Sequence, residues 1–117
     1  MIERAKPLII AHRGESQIAP ENTLAAINLA WQNGVKAVEI DVQLALDNEI
    51  VIIHDKNTKR VGDTNITVSQ STLKELKQID VGRFKDEKWR GEQIPTLAEV
   101  LPTIPHDATL IVEIKCG

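Results

Sequence analysis

The chain has 117 residues and a formal net charge of −3, from 14 Lys and Arg against 17 Asp and Glu, and it is 42% hydrophobic. That is enough for one globular unit at most, and the absence of single-sign blocks argues against a nucleic-acid tract or a membrane-surface patch, leaving small molecules as the expected partners. The segment Met1 to Pro7, with Glu3, Arg4 and Lys6, precedes only four apolar residues, too few for a signal peptide or a membrane span, so a cytoplasmic chain is expected. Cys116, the single cysteine, has no partner for an internal disulfide and reads as structural.

Leu8 to Ala11 is a short β-branched run ending in His12-Arg13-Gly14-Glu15, the expected first strand. After Pro20, either Asn22 or Thr23 can cap a helix in which Leu24, Ile27 and Trp31 recur at i, i+3 and i+7, and Asn33-Gly34 stops it. Val35 to Val42 reads as a second strand. Strand, helix, strand is the opening of a parallel sheet with crossovers. Asp47-Asn48 then separates Val42 to Leu46 from Ile50 to Ile53, predicting a hairpin that His54 leaves. From Asp55 to about Gln93 the chain is polar and lacks a long apolar run, and it reads as an insertion. Within it Leu73, Leu76 and Ile79 mark a short helix that Thr72 and Glu75 box-cap. Thr96 and Glu99 offer a second capping box, with Pro102 stopping or kinking that helix after Leu101. Thr109 to Lys115 is the last strand. No helix follows to cover it, which predicts a partial domain.

Side chains alternate along a strand, so Glu39 and Asp41 share one face of the second strand while Val38, Ile40 and Val42 take the other. The same parity joins Glu113 to Lys115. Burying an unpaired carboxylate costs several kcal/mol, so such pairs require a cation. In a closed parallel barrel the charged faces line the interior near the C-terminal rim, where barrel active sites are built. Carboxylate oxygens from two strands, without a nearby thiolate, suit Mg2+ or Ca2+ better than zinc. Arg13 would face away if its strand continued, but Gly14 ends the strand and frees the guanidinium for bidentate phosphate binding, to which Lys115 adds a point charge. His12 and His54, each ending an apolar run, complete a set suited to phosphoryl chemistry: one imidazole takes a proton from the attacking hydroxyl and the other gives one to the leaving oxygen.

His12-Arg13-Gly14, Pro20-Glu21-Asn22-Thr23, Glu39-Ile40-Asp41-Val42, His54-Asp55 and Glu113-Ile114-Lys115, in this order and spacing, closely resemble the glycerophosphodiester phosphodiesterases. Ile94-Pro95-Thr96-Leu97 also looks like that family, and residues 55 to 93 resemble the small extra domain it carries over the barrel mouth. The resemblance implies an α/β fold of the TIM-type (β/α)8 barrel. It implies hydrolysis of glycerophosphodiesters to sn-glycerol 3-phosphate and an alcohol with a divalent metal, Mg2+ or Ca2+. By it Glu39, Asp41 and Glu113 match metal ligands, His12 and His54 the acid/base pair, and Arg13 and Lys115 the phosphate-contacting cations. Glu21 and Asn22 match positions behind the ligands or at helix entry, or simple caps. The chain departs from the family pattern at Ala45, where Thr is common, at Asn48, where Gly is, and at Arg60-Val61-Gly62, where an Arg-Thr-Thr run is.

A full barrel usually takes roughly 250 residues. The expectation is therefore that residues 1 to 117 form the N-terminal part of one barrel domain, strands one to three plus the insertion at about 55 to 93. Exposed sheet edges then favour self-association. Two other readings stay open: an inactive fragment that binds metal or phosphate, and a related phospholipase-D-like or phosphoinositide phosphodiesterase.

Overall fold

The computed structural model describes residues 9–115, so Cys116 and the segment before Ile9 lie outside the described residues. The elements are β1 (Ile10–His12), α1 (Leu24–Gln32), β2 (Ala37–Leu44), β3 (Ile50–Ile52), α2 (Leu73–Lys77), α3 (Leu97–Val100) and β4 (Thr109–Ile114). β2 is the hub. Its first three residues pair in parallel with β1, and its last three pair antiparallel with β3. Residues Ala37 to Val42 pair in parallel with β4, so β1 and β3 share one edge of β2 and β4 takes the other. One strand therefore serves both the parallel sheet and the hairpin, whose turn carries Asn48 in the left-handed region at φ 64.

Local chemistry sets the helices. Thr23, not Asn22, caps α1, its hydroxyl accepting from the Ala26 amide at 3.2 Å and donating to the Pro20 carbonyl at 2.6 Å. Gly34, at φ 80, closes its C-terminal end. The capping boxes Thr72/Glu75 and Thr96/Glu99 both form. α3 gives way to a 3-10 turn over Leu101–Thr103 as Pro102 enters. The even-numbered side chains Val38, Ile40 and Val42 pack with Ile27, Ala30, Ile52 and Val100, so the aliphatic face of β2 lies under α1 and α3. Glu39, Asp41 and Gln43 occupy the other face.

Residues 55 to 93 hold more core than their polar composition suggests. Val61, Val68, Leu76, Ile79 and Val81 form a second apolar cluster with Ala45, Val51, Ile53 and Ile94. Apart from Leu76 in α2, each comes singly from a short turn or irregular segment, so no long run marks them in the sequence. On the far side, β4 is open: Ile114 is 74% exposed where Ile40 is fully buried. No helix among the described residues is long and apolar enough to cross a membrane.

Candidate active site

Strand pairing brings the carboxylates together. β2 and β4 run parallel with Asp41 opposite Glu113, and cross-strand partners point to the same face. Glu39 sits two residues earlier on that face, and one oxygen from each of Glu39, Asp41 and Glu113 lies within 4.8 Å of the others. Asp41 is fully buried and Glu39 nearly so.

Burial, then the neighbouring Asp41 charge, pushes the Glu39 carboxyl above the usual range. The ion pair with Lys115 leads the causes that hold Glu113 below it. Lys115 Nζ lies 2.9 Å from Glu113 Oε1 and 3.8 Å from Asp41 Oδ1. That ammonium is too far to satisfy Asp41, whose buried Oδ1 has no hydrogen-bond partner among the described residues. A buried, unpartnered carboxylate oxygen beside two further carboxylates is what a hard divalent cation requires, and the residues present fit one.

The other predicted residues come from the end of β1 and from the loops that follow β1 and β3. His12 closes β1, with Nε2 3.6 Å from Glu39 Oε1 and a largely exposed ring. Arg13 itself adopts the left-handed conformation at φ 59, followed by Gly14 at φ 79. This double reversal turns the guanidinium back to the charged face, so the expected release by Gly14 is shared by Arg13's own backbone. Its amide donates to the Glu39 carbonyl at 2.7 Å, its Nη1 donates to Glu21 at 3.3 Å, and its Nε lies 3.4 Å from Asp41 Oδ2. The Nε contact is one of charge only, because the N–H is not aligned for a hydrogen bond.

Asn22, at φ 56, holds Asp41 rather than capping the helix. Its Nδ2 donates to Asp41 Oδ2 at 3.0 Å and its Oδ1 accepts from the Asp41 amide at 3.3 Å.

His54 follows β3, and no hydrogen bond or ion pair among the described residues joins it directly to the three carboxylates. Its Nδ1 is 2.7 Å from Asp55 Oδ1. Three residues that carry this arrangement were given no role from the sequence. Gln43 Nε2 donates to the carbonyls of Ile53, His54 and Asp55 at 3.0, 3.2 and 2.7 Å, holding the loop that presents His54. Its signal was present, since Gln43 continues the Glu39, Asp41 alternation. Asp55 stood beside His54 in plain view. Arg60 keeps the arginine of the family's Arg-Thr-Thr run, but its partners were not readable from the sequence: it grips Glu21 with two nitrogens at 2.6 and 2.9 Å across 39 residues, and donates to Asp55 at 3.0 Å.

The glycerophosphoryl diester phosphodiesterase family model matches residues 12–117. The chain belongs to that family. Across 96% of its length it is 44% identical to the glycerophosphodiester phosphodiesterase of Caldanaerobacter subterraneus, spanning 46% of that protein. A phosphodiesterase from Oleispira antarctica, solved in complex with the product sn-glycerol-3-phosphate, superposes on 93% of the chain at 45% identity with a TM-score of 0.89. The glycerophosphodiester phosphodiesterase of Thermotoga maritima covers 97% of it at 32% identity and a TM-score of 0.81. The chain spans 44% and 46% of those two structures, about half of each. Its strand and helix order is thus that of a TIM-type α/β half-barrel.

Proposed function

We propose that this glycerophosphodiester phosphodiesterase chain supplies the metal-binding and acid/base part of a site that hydrolyses glycerophosphodiesters to sn-glycerol 3-phosphate and an alcohol. The observation that carries this reading is the meeting of Glu39, Asp41 and Glu113 around a buried oxygen of Asp41 that has no hydrogen-bond partner among the described residues. It is supported by kinship with named glycerophosphodiester phosphodiesterases and by the sn-glycerol-3-phosphate held by one structural neighbour.

In this reading Glu39, Asp41 and Glu113 are the ligands of a Mg2+ or Ca2+ ion, which when bound neutralises charge on the phosphate oxygens. Arg13 and Lys115 orient the phosphate. Glu21 and Asn22 brace Arg13 and Asp41 from behind. His12 and His54 divide the proton transfers. One accepts the proton of the substrate's own glycerol hydroxyl as that oxygen attacks phosphorus, and the other protonates the departing alcohol. Water then opens the cyclic phosphate so formed. Residues 1 to 117 are read as the N-terminal part of one barrel domain, with 55 to 93 inserted over its mouth.

The test is release of glycerol 3-phosphate from glycerophosphocholine with and without Mg2+ or Ca2+, beside Glu39→Ala. Metal-dependent release that disappears in the variant is expected. Unaltered turnover in Glu39→Ala overturns the ligand assignment. A second reading, that the chain alone binds metal or phosphate without turnover, is favoured by its spanning about half of its relatives. Calorimetric metal binding abolished by Glu39→Ala, in a chain that releases no product, distinguishes it.

A further inference from the structure

Beyond the groups assigned to the reaction, side chains of alternating charge run without a break from the carboxylate cluster to His54. Asp41 faces Arg13 at 3.4 Å, and Arg13 faces Glu21 at 3.3 Å. Arg60 then grips Glu21 through Nη1 at 2.6 Å and Nη2 at 2.9 Å. The same guanidinium donates through Nε to Asp55 Oδ2 at 3.0 Å and through Nη2 to Asp55 Oδ1 at 3.3 Å. Asp55 Oδ1 ends the chain 2.7 Å from His54 Nδ1.

We propose that Arg60 is a positioning residue for His54: its fork, anchored on Glu21 in the loop after β1, holds the Asp55 carboxylate against His54 Nδ1 in the loop after β3. The proposal rests on His54 acting as an acid/base group. An ionised carboxylate only accepts hydrogen bonds, so Nδ1 carries the proton, and in the neutral ring Nε2 keeps the lone pair. The Arg60 hydrogen bonds lead the causes that keep Asp55 in that ionised form.

The geometry explains why the position takes an arginine. A guanidinium presents five donors in a fixed plane and bridges two carboxylates at once, whereas an ammonium is a point charge that satisfies one well. Glu21 is mostly buried, so this end of the bridge is less screened than an ordinary surface pair. Without Arg60, Asp55 is a partly exposed side chain on a loop, free to rotate into water. Gln43 fixes the backbone of that loop through three carbonyls, so what Arg60 adds is the side-chain orientation of Asp55.

The experiment is 15N NMR of the histidine rings in the 117-residue chain, compared with Arg60→Gln, Arg60→Lys and Asp55→Asn, alongside kcat and KM for glycerophosphocholine. His54 is expected as the Nδ1–H tautomer in the wild type. Arg60→Gln gives a mixture of tautomers, Arg60→Lys restores the wild-type form only in part, and Asp55→Asn, whose amide can donate, shifts the ring toward Nε2–H. Turnover in Arg60→Gln falls about tenfold in kcat with KM changed less than about twofold, since positioning acts on the transition state. A wild-type ring in the Nε2–H form, or an Arg60→Gln chain that keeps Nδ1–H with a native amide spectrum, overturns the proposal. Should Arg60→Gln not fold, Glu21→Gln weakens the far anchor of the fork and is read by the His54 tautomer alone, since Glu21 also contacts Arg13. Loss of the tautomer with unchanged kcat upholds the positioning and removes His54 from the chemistry, so the two readings fail separately.

Discussion

Asn22 contacts Asp41 with both ends of its amide, and it does so from a left-handed backbone that asparagine tolerates better than most residues. Asn22→Ala removes both bonds to a buried carboxylate and leaves alanine at φ 56, which together cost about 2–4 kcal/mol of stability. Metal affinity falls about 10- to 100-fold with it, as for other groups that orient a ligand. Asn22→Gly relieves the backbone but not the lost amide, so denaturant and calorimetric titrations should find a smaller loss of stability and the same loss of affinity. Glu39 supplies a pH signature. Its carboxyl is raised by burial and by Asp41, so in the metal-free chain it favours folding while protonated, and that contribution is lost as the pH rises through the raised pKa. A cation competes with this proton, so metal affinity measured by calorimetry should fall as the pH drops toward that raised pKa, with proton release on binding. Affinity independent of pH would remove Glu39 from the ligand set. Much of this chemistry was legible in the sequence, because parity along β2 puts Glu39 and Asp41 on one face whatever the fold. The hold of Asn22 on Asp41 and of Arg60 on Glu21 was not, because both depend on how loops far apart in the chain approach each other.

At the scale of elements, the site depends on how tightly the turn after β1 sits on α1. A Cβ on Gly14 would lie 2.7 Å from the Ala26 carbonyl carbon and 2.9 Å from its oxygen. The next amide, Glu15, donates to that same oxygen at 2.9 Å. Gly14→Ala therefore combines a left-handed backbone with overpacking, and a cost of about 2–4 kcal/mol follows. Urea denaturation should lower the midpoint without changing the slope. The strands and helices around this turn were readable from β-branched runs, caps and Asn-Gly stops, with ends shifted by one or two residues: β1 ends at His12 rather than Ala11, while the expected start at Leu8 lies outside the described residues. The stretch from Asp55 to Gln93 was not readable as a packed unit. Its core is assembled from isolated residues such as Val61, Val68 and Val81, which no period of 2 or 3.6 connects.

For the whole molecule, the open side of β4 decides solution behaviour. Val42, Leu44, Ile50 and Ile114 line an apolar cavity of about 340 Å³ with Gln43, Ser69 and Lys115, and Leu44 and Ile114 are 55% and 74% exposed. Among the described residues the second edge of β4 has no strand beside it. An unpaired parallel edge next to exposed aliphatic side chains is a template for another chain, and in a solution of this chain alone the available partner is a second copy. Sedimentation velocity should therefore show a weight-average mass that rises with concentration. Ile114→Lys separates this from misfolding. The side chain already faces solvent, so the substitution costs little stability, while a charge beside the edge opposes pairing and returns the chain to a single monomeric boundary. A wild-type chain that sediments as one monomeric species at every concentration would mean that the free edge is protected by other means, and self-association would be abandoned.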